Sequence, residues 1–182
     1  IIKEMEDLAR EEVKKRYKDL GPKEIERRSR AIGMAALKFY ILKYDPATDI
    51  YFNPGESISF EGETGPYVQY AVARINSIFR KHGKDVKKAD LSKLDKDEEY
   101  FVAKMIYDFP DVVKEAALTY KPHLMARHLL EMAQKLNNYY EKYNILKERD
   151  DVRDARLMLL KAARNILAAG LGILGVEVLE EM

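Results

Sequence analysis

Ser59-Phe60-Glu61-Gly62-Glu63-Thr64-Gly65-Pro66-Tyr67-Val68-Gln69-Tyr70-Ala71 is where the chain changes character. Before it, from Asp45 to Gly65, turn formers crowd together: Asp45-Pro46, Asn53-Pro54-Gly55, Gly62 and Gly65-Pro66. After Pro66, apolar residues recur at helical spacing almost to the end. Thr64 or Gly65 suits a helix N-cap, and Pro66 suits the first turn, where its missing N–H costs nothing. The stretch is therefore read as a seam between an N-terminal piece and a helical domain.

Downstream of the seam the pattern predicts a helix from Pro66 to about Lys81, followed by a basic linker. A second helix starts near Leu94 or Asp95 and stops before Pro110, since proline removes a donor and crowds the preceding turn. Asp108-Phe109-Pro110 reads as a break, with a short helix on to Tyr120. Lys121-Pro122 restarts a long helix marked by Leu124, Leu129, Met132, Leu136 and Tyr140. After a loop from Asn144 to Asp151, a last helix aligns Val152, Leu157, Leu160, Ala163, Leu167 and Leu171. Gly170, Gly172 and Gly175 lower its helix propensity and give room for another helix to come close. Upstream, helices are expected over Ile1–Lys18 and Pro22–Lys43, and Ile50-Tyr51-Phe52 as a very short strand. The expected fold is all-α: a bundle of four or five helices over residues 61–182, preceded by two helices and a loop over residues 1–60.

Composition narrows the function. Hydrophobic residues make up 47% and charged residues 35%, a globular balance rather than a disordered one. The net charge is +1, so contact with nucleic acid has to rest on a local patch. With no cysteine, disulfide scaffolds, thiolate metal sites and Cys nucleophiles are excluded, and a reducing cytoplasm is the expected setting. The longest near-apolar run, Ile166 to Val176, is far short of the roughly 20 residues that cross a bilayer. No membrane partner is expected. A first residue of Ile is read as the start of a fragment or a processed product.

Familiar catalytic signatures are absent: no GxxxxGK[ST] loop, no GxSxG elbow, no HExxH pair. His123 and His128 are five apart, which does not place them on one helix face. Together with His82 they read as surface or half-buried residues rather than metal ligands. Asp97-Glu98-Glu99 reads as a solvated cluster that complements a helix dipole.

Four features remain. Arg74, Arg80, Lys81, Lys84, Lys87 and Lys88 face one acid, Asp85, in a domain whose other charges balance. Such a patch neutralises phosphates, or simply solvates a linker after a helix C-terminus. Twelve tyrosines include Tyr67 and Tyr70 at the start of the first bundle helix, and Tyr139, Tyr140 and Tyr143 at the end of the long one. Aromatics beside cations are natural platforms for unstacked bases, although a core or rim position explains any single tyrosine equally. Asp150-Asp151-Val152-Arg153-Asp154-Ala155-Arg156-Leu157 reads as a helix start, with Asp150 or Asp151 as N-cap and Arg153 and Arg156 free to pair with acids or reach a phosphate. The C-terminus, Glu177 to Met182, reads as an ordinary frayed end.

The Ser59–Ala71 stretch resembles the junction of class I arginyl-tRNA synthetases. Asp154-Ala155-Arg156-Leu157 resembles the motif of the DALR anticodon-binding domain, and Leu174-Gly175-Val176 with Glu181-Met182 is similar to the end of that enzyme. The resemblance implies that residues 1–60 close a catalytic module and residues 61–182 bind the anticodon loop of tRNA(Arg). It implies that ATP with Mg and L-arginine are used by the remainder of the synthetase chain. Neither the HIGH-type nor the KMSK-type signature occurs here, so this chain alone needs no cofactor and should be inactive. The anticodon contacts it implies are Tyr70, Tyr140 and Met182, with Tyr67 and Arg74 on the same helix as Tyr70; Arg80, Lys81, Lys84, Lys87 and Lys88 would hold the phosphate backbone. Asn144 stands where some relatives place a further aromatic. A monomer is expected. The competing reading is a helical protein–protein interaction module with no role in nucleic-acid binding.

Overall fold

A computed structural model describes residues 1–182. It contains seven α-helices and no strand: α1 (Ile2–Arg16), α2 (Pro22–Leu42), α3 (Pro54–Ser57), α4 (Gly65–His82), α5 (Asp97–Thr119), α6 (His123–Lys142) and α7 (Asp150–Ile173). Single 3-10 turns, Leu91–Lys93 and Ile145–Lys147, precede α5 and α7. No helix is long and apolar enough to cross a membrane.

Two apolar cores organise these helices. The larger one joins α4, α5, α6 and α7 through residues such as Val72, Ile75, Val102, Phe109, Leu129, Leu136, Leu160 and Leu167. The smaller one packs Met5, Ala9 and Val13 of α1 against Ala31, Ile32 and Ala36 of α2, and is closed by Ile58, Phe60 and Leu179. The α2 helix belongs to both cores, because Ala35 and Phe39 face the bundle while Ala31, Ile32 and Ala36 face α1. Small side chains on two faces let α1 and α4 approach it from either side.

The seam is built as its residues suggest. Thr64 Oγ1 accepts the Tyr67 N–H at 3.1 Å and caps α4, with Pro66 in the first turn. Gly65 lies directly on α2: a Cβ there would stand 2.3 Å from the Ala35 carbonyl oxygen.

Several expectations need correction. Ile50–Phe52 is not a strand, since no neighbouring strand exists to pair with it. Phe52 instead packs edge-on against Tyr40, whose hydroxyl donates to the Tyr51 carbonyl at 2.7 Å. Pro110 does not break its helix. Val102, Met105, Phe109 and Ala116 form one buried row against α6, and that packing carries α5 past the lost hydrogen bond. Neither Asp150 nor Asp151 caps α7. The hydrogen-bond ladder starts one residue earlier, with Arg153 N–H on the Arg149 carbonyl at 2.8 Å, so both acids lie in the first turn. There they face the positive end of the helix dipole, and Asp150 accepts from Arg153 Nη1 at 2.8 Å.

The surroundings of two glycines give them opposite roles. Gly65→Ala should destabilise the chain by about 1–3 kcal/mol, because backbone rather than a movable side chain blocks the new methyl. Gly172, inside α7 with nothing within 4 Å of its Cβ position, should gain about 0.5–1 kcal/mol as Ala. Thermal unfolding followed by circular dichroism checks both, at roughly 2–4 °C per kcal/mol for a chain of this size.

Candidate nucleic-acid interface

Helix α4 carries the sequence-predicted residues on one stripe. Tyr67, Tyr70, Arg74, Ser77, Ile78 and Lys81 follow each other at spacings of one to four, so they lie along the same side of the helix. The opposite side of a groove comes from the end of α6 and the turn after it. Arg74, Ser77, Ile78 and Lys81 face Tyr140, Tyr143, Asn144 and Leu146 across an opening of about 420 Å³. That size lies within the roughly 300–1,000 Å³ of small-ligand clefts.

Inside the groove the Arg74 guanidinium lies over the Tyr140 ring, 5.2 Å from its centroid. This is a cation–π pair with no carboxylate on Arg74. Tyr140 is half-buried, and its hydroxyl is covered without a hydrogen-bond partner. Burial holds that hydroxyl well above the usual phenol range, against the pull of Arg74, so it remains a neutral donor. Lys81 stands exposed at the groove mouth without an ion pair.

Tyr70, on the same stripe of α4, and Met182, at the chain's end, lie outside this groove. Both are half-buried and pack on the smaller core, whereas Tyr67 and Tyr140 pack on the larger one. The structure thus brings Arg74, Tyr140 and Lys81 into one groove and sets Tyr70 with Met182 beside a different core.

The C-terminal segment is not frayed. Leu179 is fully buried, and Lys38 donates to the Gly175 carbonyl. The amide of Gln69 donates to the Glu177 carbonyl at 2.5 Å and that of Asn76 to Glu180 Oε2 at 3.1 Å. Arg27 pairs with Glu177 at 3.2 Å, and the buried Arg28 approaches Glu181 at 3.6 Å. Gln69, Asn76 and Arg80 form a second stripe on α4, which holds the segment that ends in Met182.

The cationic run divides accordingly. Arg80 turns away from the groove to the tail, donating to the Glu180 carbonyl at 3.2 Å and pairing with Glu181 at 3.4 Å. Six positions past Arg74, at about 100° per residue, it cannot share Arg74's face. Lys84, Lys87 and Lys88 are exposed and make no ion pair. Lys84 lies near Lys161 and Arg164 of α7, in a separate depression.

Two further residues depart from their expected roles. Glu99 is not solvated: its side chain is fully buried, takes Arg156 Nε at 2.7 Å and Tyr139 Oη at 2.8 Å, and accepts the Lys96 N–H at 3.1 Å. Arg156 is likewise covered and cannot reach a phosphate. Their helical rows carried the signal. Glu99 precedes Val102, Met105 and Phe109 at core spacing, and Arg156 precedes Leu160, Ala163 and Leu167 in the same way. Asp97 is exposed, and Glu98 stays near the surface, where hydrogen bonds from Lys142 and Tyr143 hold its carboxyl down to about 2. The histidines have structural surroundings: His123 is buried 3.7 Å from Asp45, and His128 Nε2 lies 3.0 Å from the Met105 carbonyl, with burial lowering its basicity.

The comparison with known proteins agrees with this architecture. Residues 68–182 match the DALR anticodon binding domain. The arginine–tRNA ligase of Thermococcus sibiricus is 35% identical over 191 residues, covering 100% of this chain and 30% of that protein. That of Parabacteroides distasonis is 35% identical over 169 residues, covering 90% and 28%. The arginyl-tRNA synthetase structure of Thermus thermophilus superposes with a TM-score of 0.91 at 36% identity, covering 100% of this chain and 31% of that one. The chain therefore spans about a third of the length of the relatives it matches. It belongs to the DALR anticodon binding domain family, and it is similar along its whole length to arginyl-tRNA synthetases.

Proposed function

We propose that this chain binds the anticodon loop of an arginine transfer RNA, with residues 61–182 as the binding module and residues 1–60 as its junction to a catalytic module. The observation that carries this reading is the Arg74–Tyr140 pair, which floors an open groove with an unpaired cation, Lys81, at its mouth. Loop nucleotides are read by splaying bases onto aromatic and guanidinium planes, while cations hold the backbone. A base entering the groove meets the Arg74 plane and the half-buried Tyr140 ring. Tyr70 and Met182 supply further apolar surface at the smaller core, and Tyr67 at the larger one. Lys81, Lys84, Lys87 and Lys88 hold phosphates, whereas Arg80 secures the tail.

In this reading the ligation of arginine to tRNA, with ATP, Mg and L-arginine as its reactants, takes place in the part of the synthetase that carries the HIGH-type and KMSK-type signatures. This chain works as a monomeric module of a cytoplasmic enzyme and contributes affinity and orientation. The rival reading, a protein–protein module, predicts no salt-sensitive RNA complex. Gel-shift titration with an arginine transfer RNA at two salt concentrations separates the two. A complex that weakens as salt rises supports RNA binding, and the absence of any complex refutes it.

Two substitutions sharpen the test. Tyr140→Ala should weaken binding to the matching anticodon loop by about 1–3 kcal/mol, or roughly 5- to 150-fold, and to a scrambled loop much less. Equal losses would mean that Tyr140 only packs. Charge reversal at Lys87 and Lys88 should weaken all RNAs alike. It should also flatten the salt dependence, by about 0.7–0.9 in log–log slope for each phosphate that is no longer neutralised. Competition binding at several salt concentrations measures both.

A further inference from the structure

The groove has one strong wall and one that needs support. Arg74, Ser77, Ile78 and Lys81 stand on the continuous helix α4. The other wall is the last turn of α6 and the turn beyond it, Tyr140 to Leu146, where helix ends lose their internal hydrogen-bond partners. Beneath this wall lies the buried cluster around Glu99 and Arg156.

The cluster ties three helices together at one carboxylate oxygen. Glu99 Oε1, from the first turn of α5, accepts from Arg156 Nε of α7 at 2.7 Å and from Tyr139 Oη of α6 at 2.8 Å. Arg156 Nη1 reaches Glu148, at the end of the Ile145–Lys147 turn, at 2.8 Å. The same guanidinium lies 4.9 Å from the centroid of Tyr143 and 6.0 Å from that of Tyr139. The Tyr143 hydroxyl donates to Glu98 Oε2 at 3.1 Å. Residues 139, 143 and 148 thus bracket the segment that forms the wall.

Stability alone does not account for this arrangement. A buried ion pair generally adds little compared with apolar side chains of similar volume, because desolvation offsets the attraction. Hydrogen bonds and a planar guanidinium provide direction, which methyl groups do not.

We infer that Glu99, Tyr139 and Arg156 are positioning residues: they touch no RNA, and they set the orientation of the Tyr140–Leu146 wall so that the groove discriminates among loop bases. The inference rests on the reading of the groove as the base-binding site. It assigns the arginine of Asp154-Ala155-Arg156-Leu157 to the geometry of the site rather than to contact with its ligand.

The test compares the wild-type chain with Glu99→Gln and with the triple apolar variant Glu99→Leu/Tyr139→Phe/Arg156→Met. Hydrogen exchange is measured over residues 139–147 and over residues 66–82, with affinities for an arginine transfer RNA carrying its own or an altered anticodon loop. The triple variant should keep its cooperative melting transition, exchange at least tenfold faster over residues 139–147, and remain unchanged over residues 66–82. Its preference for the native loop should fall at least fivefold, with affinity for the altered loop within twofold of wild type. A folded triple variant that keeps either wild-type exchange or wild-type preference overturns the inference. If the triple variant does not fold, Glu99→Gln carries the same two readouts, with at least a threefold loss of preference expected and no loss overturning the inference. A wild-type chain that shows no preference between loops overturns the base-binding reading itself, and with it the claim about discrimination; the exchange measurement still decides whether the cluster orients the wall.

Discussion

The surface this protein presents depends on how α4 is held. One side of the helix buries Val68, Ala71, Val72 and Ile75 in the bundle core. Its N-terminus rests on the α2 backbone at Gly65, an approach too close for any other side chain. With position and rotation set by those two constraints, the helical period distributes everything else. Arg74, Ser77, Ile78 and Lys81 face the groove, and Gln69, Asn76 and Arg80 face the C-terminal segment. A rotation of one residue along α4, about 100°, would turn both sets away from their partners.

Charge is sorted by the same geometry. The cationic run looks continuous along the chain, but its members do different work in space. Arg80 pairs with the tail carboxylate of Glu181, Arg74 covers an aromatic ring, and Lys84, Lys87 and Lys88 are left in solvent. Buried polar groups follow the complementary rule. Glu99, Arg156 and Tyr139 are excluded from water and satisfy one another, which offsets part of the cost of their burial. The tail provides a further link: Val176 lies in the larger core, while Leu179 enters the small core formed by α1 and α2, so the end of the chain bridges both parts of the fold.

Much of this was legible in the sequence. Periodic apolar rows located α1, α2, α4, α6 and α7 to within a few residues, and Thr64-Gly65-Pro66 marked the start of α4 because cap and proline chemistry is local. The tyrosines at 67, 70 and 140 and the arginine at 74 were recognisable as candidates by residue type and neighbourhood. Pro110 misled for a definable reason: its local penalty is real, but a buried row on either side of it outweighs that penalty. Asp97-Glu98-Glu99 misled because three adjacent acids look alike in one dimension, whereas on a helix successive residues point about 100° apart and only the third faces the core. The tail was misread because an extended segment has no periodicity, and its order comes from amides and guanidinia 100 or more residues away.

The sequence by itself determined the class of the fold, the positions of most helices and the residue types available for binding, since those follow from local propensity and from the repeat of apolar side chains. Tertiary structure decided which of those residues share a surface. Arg74 and Tyr140 meet across 66 positions of chain, while Arg80 is drawn away and Arg156 is sealed inside, because long-range packing sets the rotation of each helix and the partners of each charge.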